Sequence, residues 1–574
     1  MLTLLGTALT LLVLAWRFDL NWLEWPALIV VLLLVRFRPS LWARQFRCIE
    51  GLCARMARRQ ALSVAAIGLS TVALRLALLP AMPVPQPRIV DEFSHSLLAD
   101  TLLKGRLTNP THPLWRQFET IQEIQRPTYN SMYFPAQGIF LAAGRVLGHP
   151  WFGVLMSVGL MSAAVLWMLQ GWFPPGWALL GSVICSLRYG LFSYWMNSYW
   201  GGAVGVIGGA LVLGAIPRIR RGMLSRHFVL LAAGLLLLAN SRPFEGAALS
   251  IAPGLSLLGH IRRQRGPALR RALSRPIPAF LLVMATGCVL MATYFRAVTG
   301  NPLTPPYRVN QQTYGWPLTL PWFSVKPVAH RWQPMHDYFL WEVEQHRKFQ
   351  LGTHVLENGT DLVVLWSFFA GPLLSVPLLF LPGVWRDRRL RLLFFTAACM
   401  VVALCLEQSR YPHYASPGSC VYIALLVASM RVMRASGRRS GKGPAMVRLL
   451  SVASLACTGA LLALPAHMRA PDRFNPYTSW CCSVGGNLER AAVLERLRSA
   501  NGRHLVIVRY APGHNWMNEW VWNDADIDQS KVVWARDDGR GNQALVGYFK
   551  DRTVWLLEPD RNPARLNRLS EKAP

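Results

Sequence analysis

The sequence predicts an α-helical, multi-pass membrane protein that ends in a small α/β domain. Hydrophobic residues make up 52% of the 574 residues, and charged residues make up only 16%. Soluble globular domains usually carry about 25% charged residues. The apolar residues also lie in long blocks, and a helix needs roughly 20 such residues to cross a bilayer. Composition and patterning therefore exclude an ordinary soluble protein.

The apolar blocks predict about thirteen membrane-spanning helices, with the N-terminus in the cytoplasm and the C-terminus outside it. The predicted spans lie near residues 2–16, 22–36, 61–80, 151–172, 175–193, 201–217, 227–242, 244–260, 277–295, 361–384, 390–406, 417–433 and 447–465. The opening apolar run lacks the basic segment and the small-residue cleavage site of a signal peptide. We therefore expect it to be retained.

The net charge of +31 indicates membrane orientation rather than binding to nucleic acid. Arginines crowd alternate breaks between the apolar blocks, whereas residues 81–135 hold equal numbers of basic and acidic side chains. The arginine-rich breaks are residues 36–59, 218–226, 262–275 and 431–448. Basic loops stay in the cytoplasm during membrane insertion. The alternation predicts a bacterial inner (plasma) membrane protein that contacts membrane lipids and no nucleic acid.

The chain divides into three predicted parts. Residues 1–60 form a transmembrane hairpin and a basic cytoplasmic linker, residues 61–465 form the main transmembrane domain, and residues 466–574 form an extracytoplasmic α/β domain. The main domain carries two long outer loops, at residues 81–150 and 296–360.

The C-terminal part alternates helix and strand patterns, which is typical of a small parallel sheet. The patterns predict helices over residues 487–500 and 542–549 and strands over residues 504–510, 531–535 and 552–557. Asp524, Asp526 and Asp528 lack the Gly and the distant Glu of a calcium loop, so we expect solvated acids. Cys481 and Cys482 are adjacent, and they pair with each other, pair with another chain or stay free.

The first outer loop holds the residues that are candidates for catalysis. Asp91 and Glu92 follow the membrane exit near Leu79 and begin a predicted amphipathic helix over residues 93–104, with His95 one turn beyond Asp91. Acids at a helix N-terminus also stabilise the helix dipole without any further role. The sequence leaves both interpretations open at this point.

A basic residue and an interfacial helix complete the loop. Arg126 precedes Pro127, Thr128 and Tyr129, and the run YFPAQGIFLAAGRVLG follows. This run is too short and interrupted for a comfortable span, so it predicts a helix at the outer interface with Tyr129 and Tyr133 at headgroup depth.

This order of residues resembles the first periplasmic loop of GT-C superfamily membrane glycosyltransferases. The similarity to the protein O-mannosyltransferase and lipid A aminoarabinose transferase group covers residues 61–435 as an architecture and is sharp over residues 88–150. The resemblance implies that Asp91 is the catalytic base and that Arg126 contacts a lipid-linked phosphate. It also implies that Glu92 assists Asp91 or holds a divalent cation. The chain departs from the family in having Arg-Pro-Thr where a Lys-Pro-Pro run is usual.

The chemistry supports this implication independently. No nucleotide sugars exist outside the cytoplasm, so a donor there must be membrane-borne, such as a polyprenyl-phosphate-linked sugar. Transfer needs a carboxylate that takes the proton of the acceptor and cations that neutralise the departing phosphate. We therefore expect an inverting glycosyltransferase that acts on a lipid, glycan or protein acceptor.

Other candidate residues lie near the predicted outer ends of the spans. Arg242 either binds phosphate or pairs with Glu245, while Arg410 and His413 are candidates for phosphate or sugar contact. Arg308 lies in a predicted lid within the second outer loop. His95, Tyr129 and Tyr133 complete the predicted substrate contacts. No metal site is predicted, because the histidines of the second outer loop lack a tight ligand spacing.

The outer turn and the glycine-rich segment after it have simpler interpretations. Residues 194–200 are rich in Tyr and Trp, which favours an interfacial aromatic belt over stacking on sugars. The glycines of residues 201–209 indicate close helix packing.

Two other functional classes remain open from the sequence. A transporter or flippase of a lipid-linked sugar would place charges and broken helices at mid-membrane depth and would show an internal repeat. We find no repeat in the sequence. A non-catalytic membrane assembly subunit is the second rival.

Overall fold

The computed structural model describes residues 21–318, 320, 322–350, 359–464, 478–482 and 485–569. The predicted span near residues 2–16 lies outside these residues. The helices are Glu24–Phe37, Ala43–Arg58, Gln60–Ala77, Val90–Leu103, Ala136–Val146, Pro150–Trp172, Pro175–Cys185, Ala203–Gly222, Ser225–Ala239, Pro243–Arg262, Pro267–Ser274, Pro276–Thr299, Pro306–Tyr314, Gln333–Gln350, Gly359–Phe369, Gly371–Leu378, Leu381–Trp385, Arg391–Cys405, Ser416–Ser436, Lys442–Ala463, Leu488–Ser499 and Asn542–Tyr548.

Six of the described helices are long and apolar enough to cross a membrane, or up to seven if one bent pair counts as a single span. They are Gln60–Ala77, Pro150–Trp172, Ala203–Gly222, Pro276–Thr299, Ser416–Ser436 and Lys442–Ala463. The predicted number of about thirteen spans is therefore not confirmed. Several predicted spans are helices that are too short, such as Ser225–Ala239 and Arg391–Cys405, because an apolar run does not reveal where its helix ends.

The predicted span over residues 361–384 is interrupted. The helical segments Asp361–Phe369 and Gly371–Leu378 meet at an angle of 83°. The carbonyl groups freed at the break are satisfied from within the protein: the Arg188 guanidinium donates to the oxygens of Ser367 at 2.5 Å and Phe368 at 3.0 Å. Irregular backbone at membrane depth is tolerated only where the protein supplies such partners.

Arg188 also joins the break to the N-terminal part of the chain. It forms an ion pair with Glu24 in which the two side chains are only 4% and 2% exposed. The other carboxylate oxygen of Glu24 accepts from the backbone N–H of Leu373 at 3.3 Å. The Trp480 ring lies under the guanidinium, 3.8 Å from its carbon to the ring centroid. One buried cation therefore connects four separate segments.

Glycines set the distance between the central helices, as the sequence indicated. A Cβ atom at Gly209 would lie 2.6 Å from the carbonyl oxygen of Pro417, and one at Gly208 would lie 2.8 Å from the Leu238 side chain. Ala203–Gly222 therefore packs against its neighbours at a distance that larger residues would not allow.

The C-terminal region contains a four-stranded sheet. Its strands are β3 (Arg503–Val508), β4 (Val532–Arg536), β5 (Arg552–Glu558) and β6 (Arg565–Arg568), in the order β4-β3-β5-β6. The pairs β3–β4 and β3–β5 are parallel, as predicted, and β6 adds an antiparallel edge that the sequence analysis missed. The first outer loop holds a short hairpin of β1 (Glu123–Ile124) and β2 (Asn130–Ser131).

Acidic side chains attach the C-terminal sheet region to the first outer loop. Asp526 forms ion pairs with Lys104 and with Arg106, the latter at 2.6 Å, and Asp528 contacts His112 at 3.0 Å. The prediction of simply solvated acids is therefore wrong for Asp526, which is a docking residue.

The predicted inner segments also meet one another. Glu50, from the arginine-rich stretch near the N-terminus, accepts hydrogen bonds from Arg434 and Arg448 at 2.8–3.1 Å. These partner residues pull the pKa of Glu50 down to about 2 against the opposing effect of its burial. Segments predicted to share one side of the membrane thus lie together.

We expect Glu24→Gln to destabilise the protein, because it leaves the charge of Arg188 buried without a counterion. Removing one partner of a buried ion pair costs about 3–5 kcal/mol. Thermal unfolding of the purified protein, followed by tryptophan fluorescence, measures the change. Glu344→Gln is the control, because Glu344 pairs with Arg347 at an exposed position and its loss should leave the melting temperature nearly unchanged. Equal melting temperatures for both variants would contradict the assignment.

Candidate active site

The Val90–Leu103 helix carries the predicted catalytic acids and is buried on both faces. It packs against Ala136–Val146 on one side, and Leu97 joins residues of the C-terminal sheet in a shared apolar cluster on the other. The prediction of an amphipathic helix with one solvated face is therefore wrong. Its polar residues are covered largely by the first outer loop itself, where the Ser94 hydroxyl bonds Ser131 and the His95 ring packs on Tyr133.

Glu92 fixes the start of this helix. One carboxylate oxygen accepts from the backbone N–H groups of Arg88 at 2.8 Å and Ile89 at 2.9 Å, and the other accepts from Tyr199 at 2.8 Å. Burial raises the pKa of Glu92, while these backbone hydrogen bonds oppose the increase. Both oxygens are occupied, which favours a structural role over the predicted catalytic or cation-binding one. Among the described residues, no His, Cys, Asp and Glu side chains form a group of three that could hold a metal ion.

Asp91 has different surroundings although it is the next residue. Its carboxylate accepts a hydrogen bond from the hydroxyl of Tyr133 and retains partial exposure. Burial raises the pKa of Asp91, and the Tyr133 hydrogen bond and the charge of Arg242 limit the increase. A carboxylate whose pKa is moved toward neutrality is suited to proton abstraction.

The positive charge of Arg242 acts on Asp91 and on His95, one helical turn further along the same helix. Its guanidinium is 4.3 Å from the ring centroid of Tyr414 and 3.8 Å from a carboxylate oxygen of Glu245. The ion pair anticipated from the sequence therefore forms, but at a distance too long for a hydrogen bond. Within the described part of the chain, no hydrogen bond from the guanidinium occurs, so its N–H groups are available to an anion.

Two predicted histidines line the same region as neutral rings. His95 packs on Tyr133 with 4.5 Å between ring centroids, and His413 contacts the hydroxyl of Tyr194 through Nδ1 at 2.8 Å. Burial and the charge of Arg242 lower the pKa of His95 to about 3 and lower that of His413 well below its usual value. These rings can exchange hydrogen bonds with a sugar or phosphate but add no positive charge.

Two predicted residues of the first outer loop lie elsewhere. Arg126 is exposed and lies over the ring of Trp115, 5.6 Å from its centroid. Tyr129 is only 2% exposed and donates to the carbonyl of Asn523 at 3.1 Å. The headgroup position predicted for Tyr129 is wrong, because the C-terminal region covers this residue.

Two further candidates are held by local bonds. Arg410 is 8% exposed and donates from Nε to the carbonyl of Leu404 at 2.8 Å. Arg308 contacts Gln311 at 3.1 Å on the helix Pro306–Tyr314. Arg410 nevertheless adds positive charge near Glu407, which also lies close to Arg242.

The aromatic turn after residue 193 is buried rather than interfacial. Tyr194, Trp195 and Tyr199 are at most 1% exposed, and the ring of Trp200 lies 4.4 Å from that of His413. The aromatic-belt interpretation is therefore wrong, because these rings form the protein interior beneath the candidate site.

Glu342 is an additional acid near Asp91 that no sequence motif indicated. It lies on Gln333–Gln350 and accepts hydrogen bonds from Tyr338 at 2.8 Å and Gln408 at 3.0 Å. Burial raises the pKa of Glu342 to about 7, and the negative charge of Asp91 adds to the increase. No local pattern separates it from the nearby exposed Glu344.

The sequence comparisons and the structural comparison gave different results. No protein family model matches the sequence, and no curated protein matches it. The structure is similar to that of ArnT from Cupriavidus metallidurans bound to undecaprenyl phosphate, at 12% identity, over 85% of this chain and 92% of that chain, with a TM-score of 0.46.

The oligosaccharyltransferase of Archaeoglobus fulgidus is also similar. Its complex with Zn and sulfate gives 13% identity over 86% of this chain and 67% of that chain, with a TM-score of 0.45. Its apo form gives 13% identity and a TM-score of 0.41, and this chain spans 58% of its length. What this chain does has to be inferred from its own side chains.

We expect Glu92→Gln to lower the stability of the protein more than Asp91→Asn does. A glutamine would turn an NH₂ group toward backbone N–H donors, and a buried donor without an acceptor costs about 1–3 kcal/mol. Asparagine at position 91 still accepts from Tyr133. Chemical denaturation of both purified variants measures the difference, and a larger loss for Asp91→Asn would show that the two roles are reversed.

Proposed function

We propose that the protein is an integral-membrane glycosyltransferase that moves a sugar from a polyprenyl-phosphate-linked donor to an acceptor. The observation that carries the proposal is that Asp91, a half-buried residue whose carboxylate accepts from Tyr133, feels the positive charge of Arg242 from another helix. A base for the acceptor and a cation for the leaving phosphate are the two groups that this transfer requires.

Asp91 is the proposed general base. The acceptor hydroxyl attacks the anomeric carbon, its proton passes to the Asp91 carboxylate, and the bond to the phosphate oxygen breaks with its electrons. A single displacement of this kind inverts the anomeric configuration. Tyr133 orients the carboxylate through its hydrogen bond, and Glu342 adds a second acid nearby.

Arg242 is the proposed phosphate ligand. A guanidinium can bind two phosphate oxygens through parallel hydrogen bonds, and in the described residues its N–H groups have no hydrogen-bond acceptor. Arg410 adds positive charge, and His95 and His413 supply uncharged hydrogen-bonding groups. Arg126 lies apart on Trp115, which favours a role at the surface of the donor site.

We further propose that the site faces the outside of a bacterial inner membrane, with the C-terminal domain over it. The support is that basic segments predicted to be cytoplasmic meet at Glu50, which accepts hydrogen bonds from Arg434 and Arg448. Along the chain, these basic segments alternate with the predicted outer loops. A lipid, a glycan or a protein could serve as the acceptor.

A transporter of lipid-linked sugars is the second candidate. The interrupted helix and the buried Arg188–Glu24 pair are features that such a protein would contain. However, Arg188 is bound by Glu24 and two backbone carbonyls, which favours a structural role. Catalysis by Asp91 distinguishes the two classes.

We expect Asp91→Asn to abolish sugar transfer while donor binding persists. Asparagine keeps the size and one acceptor oxygen but cannot take a proton, and loss of a general base costs about 100- to 10,000-fold in rate. Purified protein in liposomes with radiolabelled polyprenyl-phosphate sugars provides the assay. Full activity of Asp91→Asn would refute the mechanism, and a transporter would move labelled donor without transfer in both proteins.

We expect Arg242→Ala to weaken binding of the polyprenyl phosphate at least tenfold, because hydrogen bonds to charged groups contribute about 1.5–3 kcal/mol each. Arg242→Lys should retain part of the affinity, since lysine keeps the charge but not the planar fork. Arg126→Ala is the matched comparison and should cost less. If Arg126→Ala costs more, the phosphate site lies at Trp115 instead.

A further inference from the structure

The helix Ala43–Arg58 connects two apolar helices in the N-terminal part of the chain. Glu24–Phe37 ends shortly before it, and Gln60–Ala77, one of the helices that could cross a membrane, begins directly after Arg59. The connecting helix carries four arginines in 16 residues, so it is not a span itself. Because apolar helices adjoin both of its ends, it lies where the chain leaves the bilayer and re-enters it.

One face of this helix contacts the rest of the protein. Successive side chains of a helix point about 100° apart, so residues seven positions apart share a face. Ala57 is fully buried on this face. Glu50, seven positions earlier, accepts hydrogen bonds from Arg434 and Arg448 at 2.8–3.1 Å. The side chains at other angles point away from these contacts.

A second face of the helix is apolar and exposed. Ile49, Leu52 and Met56 follow one another at helical spacing, and their exposed fractions are 55%, 62% and 44%. Cys53 is exposed beside them. A contiguous apolar surface of this kind is unfavourable in water. Acyl chains cover such a surface when an amphipathic helix lies in the membrane interface, about 5–10 Å deep at the boundary between headgroups and acyl chains.

The third face of the helix carries only positive charge. Four exposed arginines on it form no ion pair and no side-chain hydrogen bond within the described part of the chain, namely Arg44, Arg47, Arg55 and Arg58. The single acid of the helix, Glu50, is already bound by Arg434 and Arg448. Its negative charge is therefore not available to the four arginines, and a partner outside the protein has to neutralise them.

We propose that the Ala43–Arg58 helix is a binding surface for anionic phospholipids. The apolar face inserts among the acyl chains, and the arginines bind the phosphates, which a guanidinium can hold through two parallel hydrogen bonds. Zwitterionic headgroups carry an ammonium group that opposes this attraction, so the surface favours headgroups with a net negative charge. Clusters of about four to eight basic residues on an amphipathic helix are typical of surfaces that recognise anionic lipids. The proposal does not depend on the glycosyltransferase function.

Native mass spectrometry of the full chain in detergent measures how tightly each lipid is bound. The two probes are phosphatidylglycerol and phosphatidylcholine with identical acyl chains, which differ in the charge of the headgroup. We expect the dissociation constant for phosphatidylglycerol to be about tenfold lower. Phosphatidylglycerol should also raise the melting temperature more than phosphatidylcholine does, because a ligand that binds the folded state stabilises it.

A variant without the charges of the third face should lose this preference. We expect its dissociation constant for phosphatidylglycerol to rise about tenfold, while that for phosphatidylcholine stays nearly unchanged, since each basic residue near an anionic surface contributes separately to the attraction. The substitutions are Arg44→Gln, Arg47→Gln, Arg55→Gln and Arg58→Gln. These side chains are exposed, so folding should persist, and a melting curve without added lipid checks this.

A matched control removes the same number of charges from the C-terminal domain. Its substitutions, all at exposed residues, are Arg496→Gln, Arg498→Gln, Arg540→Gln and Arg561→Gln. This control should bind phosphatidylglycerol like the unaltered protein. Equal affinity of the unaltered protein for both lipids, a preference that survives in the helix variant, or an equal loss in the control would overturn the proposal. Glycerol phosphate that competes as effectively as the lipid would also overturn it, because the helix would then bind a soluble anion.

Discussion

The buried guanidinium of Arg188 must be satisfied by partners within the protein, and the position of the helix that carries Asp91 depends on how the chain achieves this. Its partners are Glu24 and the carbonyls at the break near Phe368. Arg188 belongs to a π-helical turn, Ser186–Leu191, that leads directly into the aromatic turn. There the backbone N–H of Tyr199 donates to Glu92. A charge far from the active site thereby fixes the segment that holds the helix of Asp91.

Two adjacent carboxylates therefore acquire different roles through their environments. Glu92 accepts hydrogen bonds from backbone N–H groups and fixes the start of the helix. Asp91 accepts a hydrogen bond from the hydroxyl of Tyr133 and interacts with the charge of the Arg242 guanidinium. Successive residues of a helix point about 100° apart, so they reach different neighbours. The hydrogen bonds of Glu92 fix the start of the helix that carries Asp91, and the proposed catalytic role of Asp91 requires such a fixed element.

The C-terminal domain does more than cover the site. Asp526 binds Lys104 and Arg106 at the end of the Val90–Leu103 helix, and Asn523 binds Tyr129 of the same loop. Both residues border a cavity beside that helix. The domain thereby holds the first outer loop at several points along its length.

The sequence by itself determined the membrane class, the alternation of basic loops and the parallel strands, and it named Asp91, Tyr133 and Arg242 as candidates, which interact in the structure. These features follow from local composition and period, which act over one helix or strand. Only the tertiary structure decided that Glu92 binds backbone N–H groups, that Tyr129 and the aromatic turn are buried, and that Glu342 lies near Asp91. It also decided where helices break, because the carbonyls near Phe368 depend on Arg188, about 180 residues away in the chain. Burial and pairing across such separations come from docking between segments, and no local pattern encodes which segments meet.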